Sequence, residues 1–518
     1  MKFDRNRIAG RIDQAASTFG IGAILLAVFI LLLRVIIHFP FFDETLHVHY
    51  LWLLSNGYIP GTDFYCHYPA LAYFFLIPFF QLLPDSAFVV LVLRYISLAL
   101  YIGIGILLYY HGRRVTNDWC AAVIPLVLLA ASSNIGPFMV EYSIDPFAAA
   151  AAVGALVIFF RTPSERTVAV SAGLSLLSVM LTPKYAFPLF FGLIGHSAAY
   201  LLVRREKLKA VSAICVGGAV SLACVLILYW LNGVSFLGNM AATLTTSRVL
   251  QKINDTLTYT FLLARLINKP VYWAVIALGL AGWVYRSKGR MDQITLSGAG
   301  ILLGVILFFL TICLPLEQYQ MPIYLSLAMF APFAFAALGD TFWVKMLRSV
   351  TVVVVFIFVA AQYPALVQEL VGTSVYMREA NNPRFVKGPP AVKALSDIDR
   401  ILHMIPRDEK IVALWPHNPM LRKDLTAITW DEAPSYSEVL SKDDPKAIFF
   451  DPKTYQAALA GHMPALINLD KLQVNYPPGW YELTVQFLAR NEASYVKVPS
   501  SLQPGNFNYV RRDLMPQP

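Results

Sequence analysis

Residues 41–69, FFDETLHVHYLWLLSNGYIPGTDFYCHYP, gather three carboxylates (Asp43, Glu44, Asp63) and three histidines (His47, His49, His67) just after an apolar run. The chemistry open to such a set is proton transfer. A carboxylate at the edge of a bilayer still reaches water, so it escapes the full cost of the bilayer centre and can take a proton from a bound hydroxyl. If the chain is helical from Asp43 onward, Asp43 and His47 share a face at i,i+4, while Glu44 points about 100° away. Only one of the two adjacent carboxylates can then lead at a given substrate; Asp43 is assigned as the base and Glu44 as its second. Asp63 and His67 repeat the i,i+4 spacing after the turn signals Asn56-Gly57 and Pro60-Gly61. The plainer reading of these side chains is a set of solvated interfacial groups. Asp43, His47, Asp63 and His67 could also converge on a divalent cation, although no zinc-type spacing such as HExxH occurs.

The elements that position these residues are set by composition. Of 518 residues, 57% are hydrophobic and only 14% charged, and the mean hydropathy is +0.58, which indicates a polytopic α-helical membrane protein. The formal charge of +9 does not point to nucleic acid, because the basic residues fall in short clusters between apolar runs, as in cytoplasmic loops. Cys120, Cys215, Cys224 and Cys313 lie in apolar runs and Cys66 in the polar loop, so no pair reads as a disulfide or metal knuckle. Lys2, Arg5, Arg7 and Arg11 precede an apolar run over 19–39 that lacks a small-residue cleavage site, which predicts an uncleaved first span with a cytoplasmic N-terminus.

The loop at 40–87 then faces outward. Within it, 68–83 is apolar and aromatic but interrupted by Pro69 and Pro78, predicting a helix that lies at the interface; the second span is placed at 88–110. Basic clusters at Arg113–Arg114, Arg161–Arg166, Arg204 onward, Arg286–Arg290 and Lys345–Arg348 alternate with outer turns carrying Glu141 and Asp145, Lys184, residues 232–269 and Glu317. About eleven spans result, each near the roughly 20 residues a bilayer requires. The multi-span module is bounded at 1–367. Residues 368–518 are polar and combine a helical stretch at 390–405 with strand-like runs, IVALW at Ile411 and AIFF at Ala447, predicting an extracytoplasmic α/β domain that acts as a cap or in acceptor recognition.

Cations are needed wherever an anionic substrate is held. Lys184, in TPKY between two apolar runs, is costly to place unless it is paired or faces a cavity, which makes it the leading candidate. Arg94 is the next, either at the substrate or paired to a carboxylate. Asp145 precedes Pro146 at the start of an apolar helix and reads as an N-cap, or as a partner orienting substrate or Lys184. Arg248, Lys252, Arg265 and Lys269 lie in a long outer loop that could close over substrate. Tyr65, Tyr68, Tyr73 and Phe74 serve as interfacial belt or as a platform for a sugar and its lipid.

Several of these pieces together resemble one family. An Asp-Glu pair after the first span, followed by NGYIPGTDFYCHYPALAYF, resembles the first outer loop of GT-C class membrane glycosyltransferases, in the bacterial branch of protein O-mannosyltransferases and the aminoarabinose transferase of lipid A. Gly61 stands where that loop usually has Tyr, and His67-Tyr68-Pro69-Ala70 where Pro-Pro-Leu is common. LRYISLALYIGIGILLYYHGRR from Leu93, EYSIDPFAAAAAVGALVIFFR from Glu141, TPKYAFPLF and EQYQMPIYLSLA are similar to later spans, in the same order. Glu317 and Gln318 occupy positions where a basic residue is usual.

The resemblance covers roughly 19–364. It implies a hexosyl- or pentosyltransferase of the inner membrane that moves a sugar from a polyprenyl-phosphate donor to a hydroxyl of a glycan, lipid or protein acceptor of the cell envelope, lipopolysaccharide among them. It further implies that Asp63, His67, Asp145, Lys184, Arg94, Glu317 and Tyr319 bind substrate. No resident cofactor follows, and a divalent cation stays open. Because phosphate is already a good leaving group, the paired carboxylic acids of glycoside hydrolases are unnecessary. One base in a single displacement suffices, and the product is inverted. The alternative is a transporter or flippase of lipid-linked sugars; the charges collect at span ends and no internal repeat is visible, which favours the enzyme. An oligosaccharide ligase differs only in the size of its donor.

Overall fold

The structure is a computed structural model describing residues 5–37, 42–64, 66, 68–116, 122–123, 140–244, 270–311, 317–336, 342–361, 373–379, 382–388, 391–413, 421–425, 452–469, 479–499 and 507–516. Helices dominate. α1 (Arg5–Ile37) and α2 (Phe42–Ser55) flank the start of the carboxylate loop, and α3 (Leu71–Phe74) and α4 (Ile77–Phe80) follow within it. The continuous interfacial helix expected at 68–83 is thus two single turns. Pro78 opens the second, where its missing N–H costs nothing.

α5 (Val89–Thr116), α6 (Asp145–Phe159), α7 (Glu165–Leu181), α8 (Ala186–Arg204) and α9 (Lys207–Leu231) come next, then helical residues 236–244. α10 (Pro270–Ser287), α11 (Gln293–Thr311), α12 (Glu317–Ala328), α13 (Phe333–Ala336) and α14 (Phe342–Ala360) complete the helical module. Among the described residues, five segments are long and apolar enough to cross a membrane: Thr18–Ile37, Val89–Thr116, Pro183–Arg204, Lys207–Leu231 and Gln293–Thr311. The outward surface of α9 shows why they suit lipid: Leu208, Val211, Val216, Val220 and Trp230 are exposed on it, a face that only hydrocarbon would solvate without penalty. The chain is a multi-pass membrane protein.

Local sequence sets the packing. Ser164 starts α7 with a capping box: its hydroxyl accepts the Thr167 N–H at 3.2 Å while the Thr167 hydroxyl accepts the Ser164 N–H at 2.9 Å, satisfying donors that a helix start leaves open. α8 and α11 approach closely because Gly300 and Gly304 face α8; a Cβ there would collide with the carbonyl oxygens of Phe191 and Phe187. Small residues permit such contacts where lipid supplies no hydrophobic drive.

β1 (Thr373–Glu379) and β2 (Asn382–Gly388) pair antiparallel. After α15 (Ala391–Leu402), strands β3 (Lys410–Ala413), β4 (Lys423–Asp424), β5 (Leu466–Leu469), β6 (Tyr495–Pro499) and β7 (Phe507–Arg511) form a five-stranded sheet of order β4-β3-β5-β7-β6, with α16 (Pro452–Gly461) and α17 (Trp480–Arg490) between strands. β3 runs parallel to β4 and β5, and β7 antiparallel to β5 and β6. The boundary expected at 367/368, and the strand expected at Ala447, lie outside the described residues.

This sheet domain docks on the face that carries residues 56–88, called here the loop face. Asp85 accepts from Arg407 at 2.9 Å and from the buried Arg422 at 3.0 Å, and the Ala87 N–H donates to Asp399 at 2.8 Å. Burial raises the Asp85 pKa, but its two arginine partners outweigh that and hold it below the ordinary carboxylate value.

Candidate active site

The first turn of α2 places Glu44 in the protein interior, opposite Arg94 of α5. The two are fully enclosed and meet in a fork: Arg94 Nε donates to Glu44 Oε1 at 2.7 Å, and Nη2 to Oε2 at 2.6 Å. Arg94 Nη1 donates to the Val35 carbonyl at 2.9 Å, and the Tyr142 N–H donates to Glu44 Oε1 at 2.9 Å. A planar guanidinium and a carboxylate in bidentate contact form the strongest of side-chain hydrogen bonds. The fork ties α1, α2, α5 and the turn before α6 into one corner. Of the two readings of Arg94, the structure shows the pairing to a carboxylate, and Glu44 is not the solvated neighbour of Asp43 that the sequence also allowed. Asp43 itself lies one residue earlier in α2, turned about 100° from Glu44 by the helical period; its side chain is outside the described residues.

A second pair stands at the start of α6. Lys184 Nζ donates to both carboxylate oxygens of Asp145, at 3.0 and 2.9 Å. The side chains keep 14% and 17% of their exposure, so this pair, unlike the first, retains a path to solvent or ligand. Lys184 sits in a short 3-10 turn, Pro183–Tyr185, wedged between α7 and α8. The expectation that Asp145 caps α6 is corrected: Ile144 is the N-cap residue, Asp145 begins the helix, and no side-chain capping bond forms. The lysine draws its carboxylate instead.

Between the two pairs lies the turn 141–144. Glu141 is buried, and that burial pushes its pKa up to about 7, against the opposing pull of the Arg94 charge. The Tyr142 and Tyr101 hydroxyls are buried with no hydrogen-bond partner among the described residues. Burial likewise pushes the Tyr142 hydroxyl up, so that phenol stays neutral. The Tyr101 hydroxyl lies within electrostatic reach of Asp145 and Glu141. Sequence reasoning had marked Glu141 only as an outer-turn charge and had missed both tyrosines.

The histidines have other occupations. His47 Nδ1 shares a 2.6 Å hydrogen bond with the Tyr73 hydroxyl, and its ring packs 4.4 Å from that of Tyr68. His49 Nε2 donates to Asp424 Oδ2 of the sheet domain at 2.6 Å. Asp63 accepts the Ile59 N–H at 2.9 Å and lies 4.0 Å from Lys423, closing a turn in which Gly61 takes a φ of 84°, a value that favours glycine. Asn239, also missed, pins the loop: it accepts from the Ala70 N–H at 2.8 Å and the Tyr229 hydroxyl at 2.7 Å, and donates to the Tyr68 carbonyl at 3.0 Å. Its signal was a lone buried amide, which a sequence does not distinguish from a loop asparagine.

His67, Tyr65 and residues 245–269, with Arg248, Lys252, Arg265 and Lys269, lie outside the described residues, as do the side chains of Glu317 and Tyr319 at the start of α12. Among the described residues no group of three or more His, Cys, Asp or Glu could hold a metal ion.

The chain shares its overall fold with ArnT, a GT-C aminoarabinose transferase. The crystal structure of ArnT from Cupriavidus metallidurans bound to undecaprenyl phosphate superimposes with a TM-score of 0.57 at 11% identity, covering 96% of this chain and 98% of that one. The apo form of the same protein gives 0.56 at 11% identity, over 97% and 100%. An Archaeoglobus fulgidus oligosaccharyltransferase aligns at only 0.41. No family model and no curated protein matches the sequence.

Proposed function

We propose that the protein is an inverting glycosyltransferase that moves a sugar from a polyprenyl-phosphate donor to a hydroxyl of a glycan, lipid or protein acceptor of the cell envelope. The reaction takes place at the loop face, which this reading puts outside an inner membrane with the N-terminus in the cytoplasm. The observation that carries it is likeness of fold over nearly the whole length to a protein crystallised with undecaprenyl phosphate. Asp43 takes the acceptor proton as the hydroxyl attacks the anomeric carbon, and the lipid phosphate leaves with its bonding electrons. Lys184 is the cation that meets that phosphate. Asp145 holds Lys184 in place until an anion competes for it, and the exposure left to the pair is what such an exchange needs. Glu44 and Arg94, joined in the buried fork, position α2 and so aim Asp43. Asp63, His67, Glu317 and Tyr319 are assigned to substrate on the family resemblance.

The test is purified protein in liposomes with a panel of polyprenyl-phosphate sugars and candidate acceptors, comparing wild type with Asp43→Asn. The variant is expected to fold, to bind donor and to transfer nothing. Full transfer by Asp43→Asn removes the base assignment, and counterflow of labelled lipid-linked sugar without acceptor marks a transporter.

A further inference from the structure

The opposite end of the helical module holds a cavity that the proposed reaction does not use. From Arg94 to Arg114 along α5 is 20 residues, or about 30 Å at helical rise, so this cavity lies a membrane's width from the loop face. It measures about 310 Å3 and is lined by Arg114, Arg161, Thr162, Arg286 and Gln293, with Phe160 and Phe333 in its wall.

The charges around it do not balance. Arg286 donates to Asp292 at 3.2 Å, and Asp292 also accepts the Thr295 N–H and hydroxyl, both at 3.0 Å, at the start of α11. That carboxylate is fully used. Arg114 and Arg161 have no carboxylate partner among the described residues. The Arg161 guanidinium sits 5.2 Å from the centre of the Tyr110 ring, and its Nε is buried without an acceptor. His111 adds none, since its Nε2 is bonded to the Met329 carbonyl at 2.9 Å. Among the described residues the buried Arg161 Nε, in a side chain that lines the cavity, lacks a hydrogen-bond acceptor, and the arginines around it favour an anion in that role.

We infer that this cavity binds a phosphate group, as carried by the headgroup of an anionic phospholipid, at a site separate from the loop face. Three observations favour phosphate within a headgroup. The site lies at helix ends, where headgroups lie; the exposed flanks of the same helices are apolar, with Tyr110 and Tyr285 outward; and basic pockets between helix ends are the general mode of anionic lipid capture. Planar guanidinium forks match phosphate oxygens.

The experiment is native mass spectrometry of the full chain in detergent with equal amounts of phosphatidylglycerol and phosphatidylcholine, for wild type, Arg114→Gln, Arg161→Gln and Arg161→Lys. In parallel, the thermal midpoint of lipid-free wild type is read with inorganic phosphate against chloride at matched ionic strength. Wild type is expected to retain phosphatidylglycerol preferentially, each glutamine variant to lose about fivefold of that preference, and Arg161→Lys to keep more of it than Arg161→Gln. Stabilisation by inorganic phosphate with no lipid preference would assign the same chemistry to a soluble phosphate. Equal retention of both lipids by wild type together with no phosphate response, or undiminished preference in monodisperse glutamine variants, overturns the site.

Discussion

Two adjacent carboxylates, Asp43 and Glu44, should fail in opposite ways. Removing the Glu44 side chain leaves the Arg94 guanidinium fully enclosed with its two shortest bonds gone and orphans the Tyr142 N–H as well. Breaking a buried ion pair from one side costs about 3–5 kcal/mol, and the backbone N–H adds about 1 kcal/mol or more. Glu44→Ala and Arg94→Ala should therefore each destabilise by about 4 kcal/mol. The double variant should cost less than the sum of the two by about 2–3 kcal/mol, because it removes both charges of the fork together. Asp43→Asn, on the proposed mechanism, should abolish transfer while the protein stays folded. Equilibrium unfolding in SDS and detergent mixed micelles, followed by tryptophan fluorescence, measures all four. A single Glu44 or Arg94 variant costing under about 1 kcal/mol, the worth of an exposed pair, or strict additivity in the cycle, would refute the structural role of the fork.

At the second pair, on the proposed mechanism, Lys184→Gln should lower transfer by about 100-fold through loss of phosphate stabilisation, whereas Asp145→Asn should have the smaller effect because the cation survives; steady-state rates over donor concentration distinguish them. Glu141 supplies a pH dependence whose sign is fixed. Its folded pKa of about 7 exceeds its ordinary 4.5, so the folded state binds more protons between these values and stability falls as pH rises across that window, by roughly 3 kcal/mol in all. Glu141→Gln should remove that slope in thermal scans from pH 4.5 to 8. His49→Ala and Asp424→Ala each remove the 2.6 Å contact between α2 and the sheet domain and should speed amide hydrogen exchange in β3 and β4, while exchange in α8 and α11 stays as in wild type.

What the sequence made legible was governed by hydropathy. Runs of apolar residues flanked by basic clusters give a membrane module with few competing readings, and the helical period alone separates Asp43 from Glu44. Which of the two faces inward was not legible, since lipid and protein interior are equally apolar and hydrophobicity carries no preference between them. Asp145 shows a local rule overruled. Its neighbours spell a cap, but Lys184, 39 positions away, offers a charge-assisted bond stronger than a backbone N–H. The anchoring by Asn239 and the burial of Glu141 were illegible for the same reason: their surroundings come from elements that only tertiary packing brings near.

The sheet domain extends this point to mechanism. His49 and Asp424 are separated by 375 positions, yet their contact, with those of Asp85 to Arg407 and Arg422, fastens the domain to both ends of the carboxylate loop. Asn239 holds the same loop from the α9 side. A segment held from two directions cannot act as a lid without breaking several buried polar contacts at about 1 kcal/mol or more each. The described residues at 68–70 and 85–87 are therefore anchored beside α2. On the proposed mechanism, a variant at the domain interface that alters catalysis would act by shifting these anchors, and with them the aim of Asp43, and so would lower kcat together with its stability loss rather than the affinity for an anionic donor at Lys184.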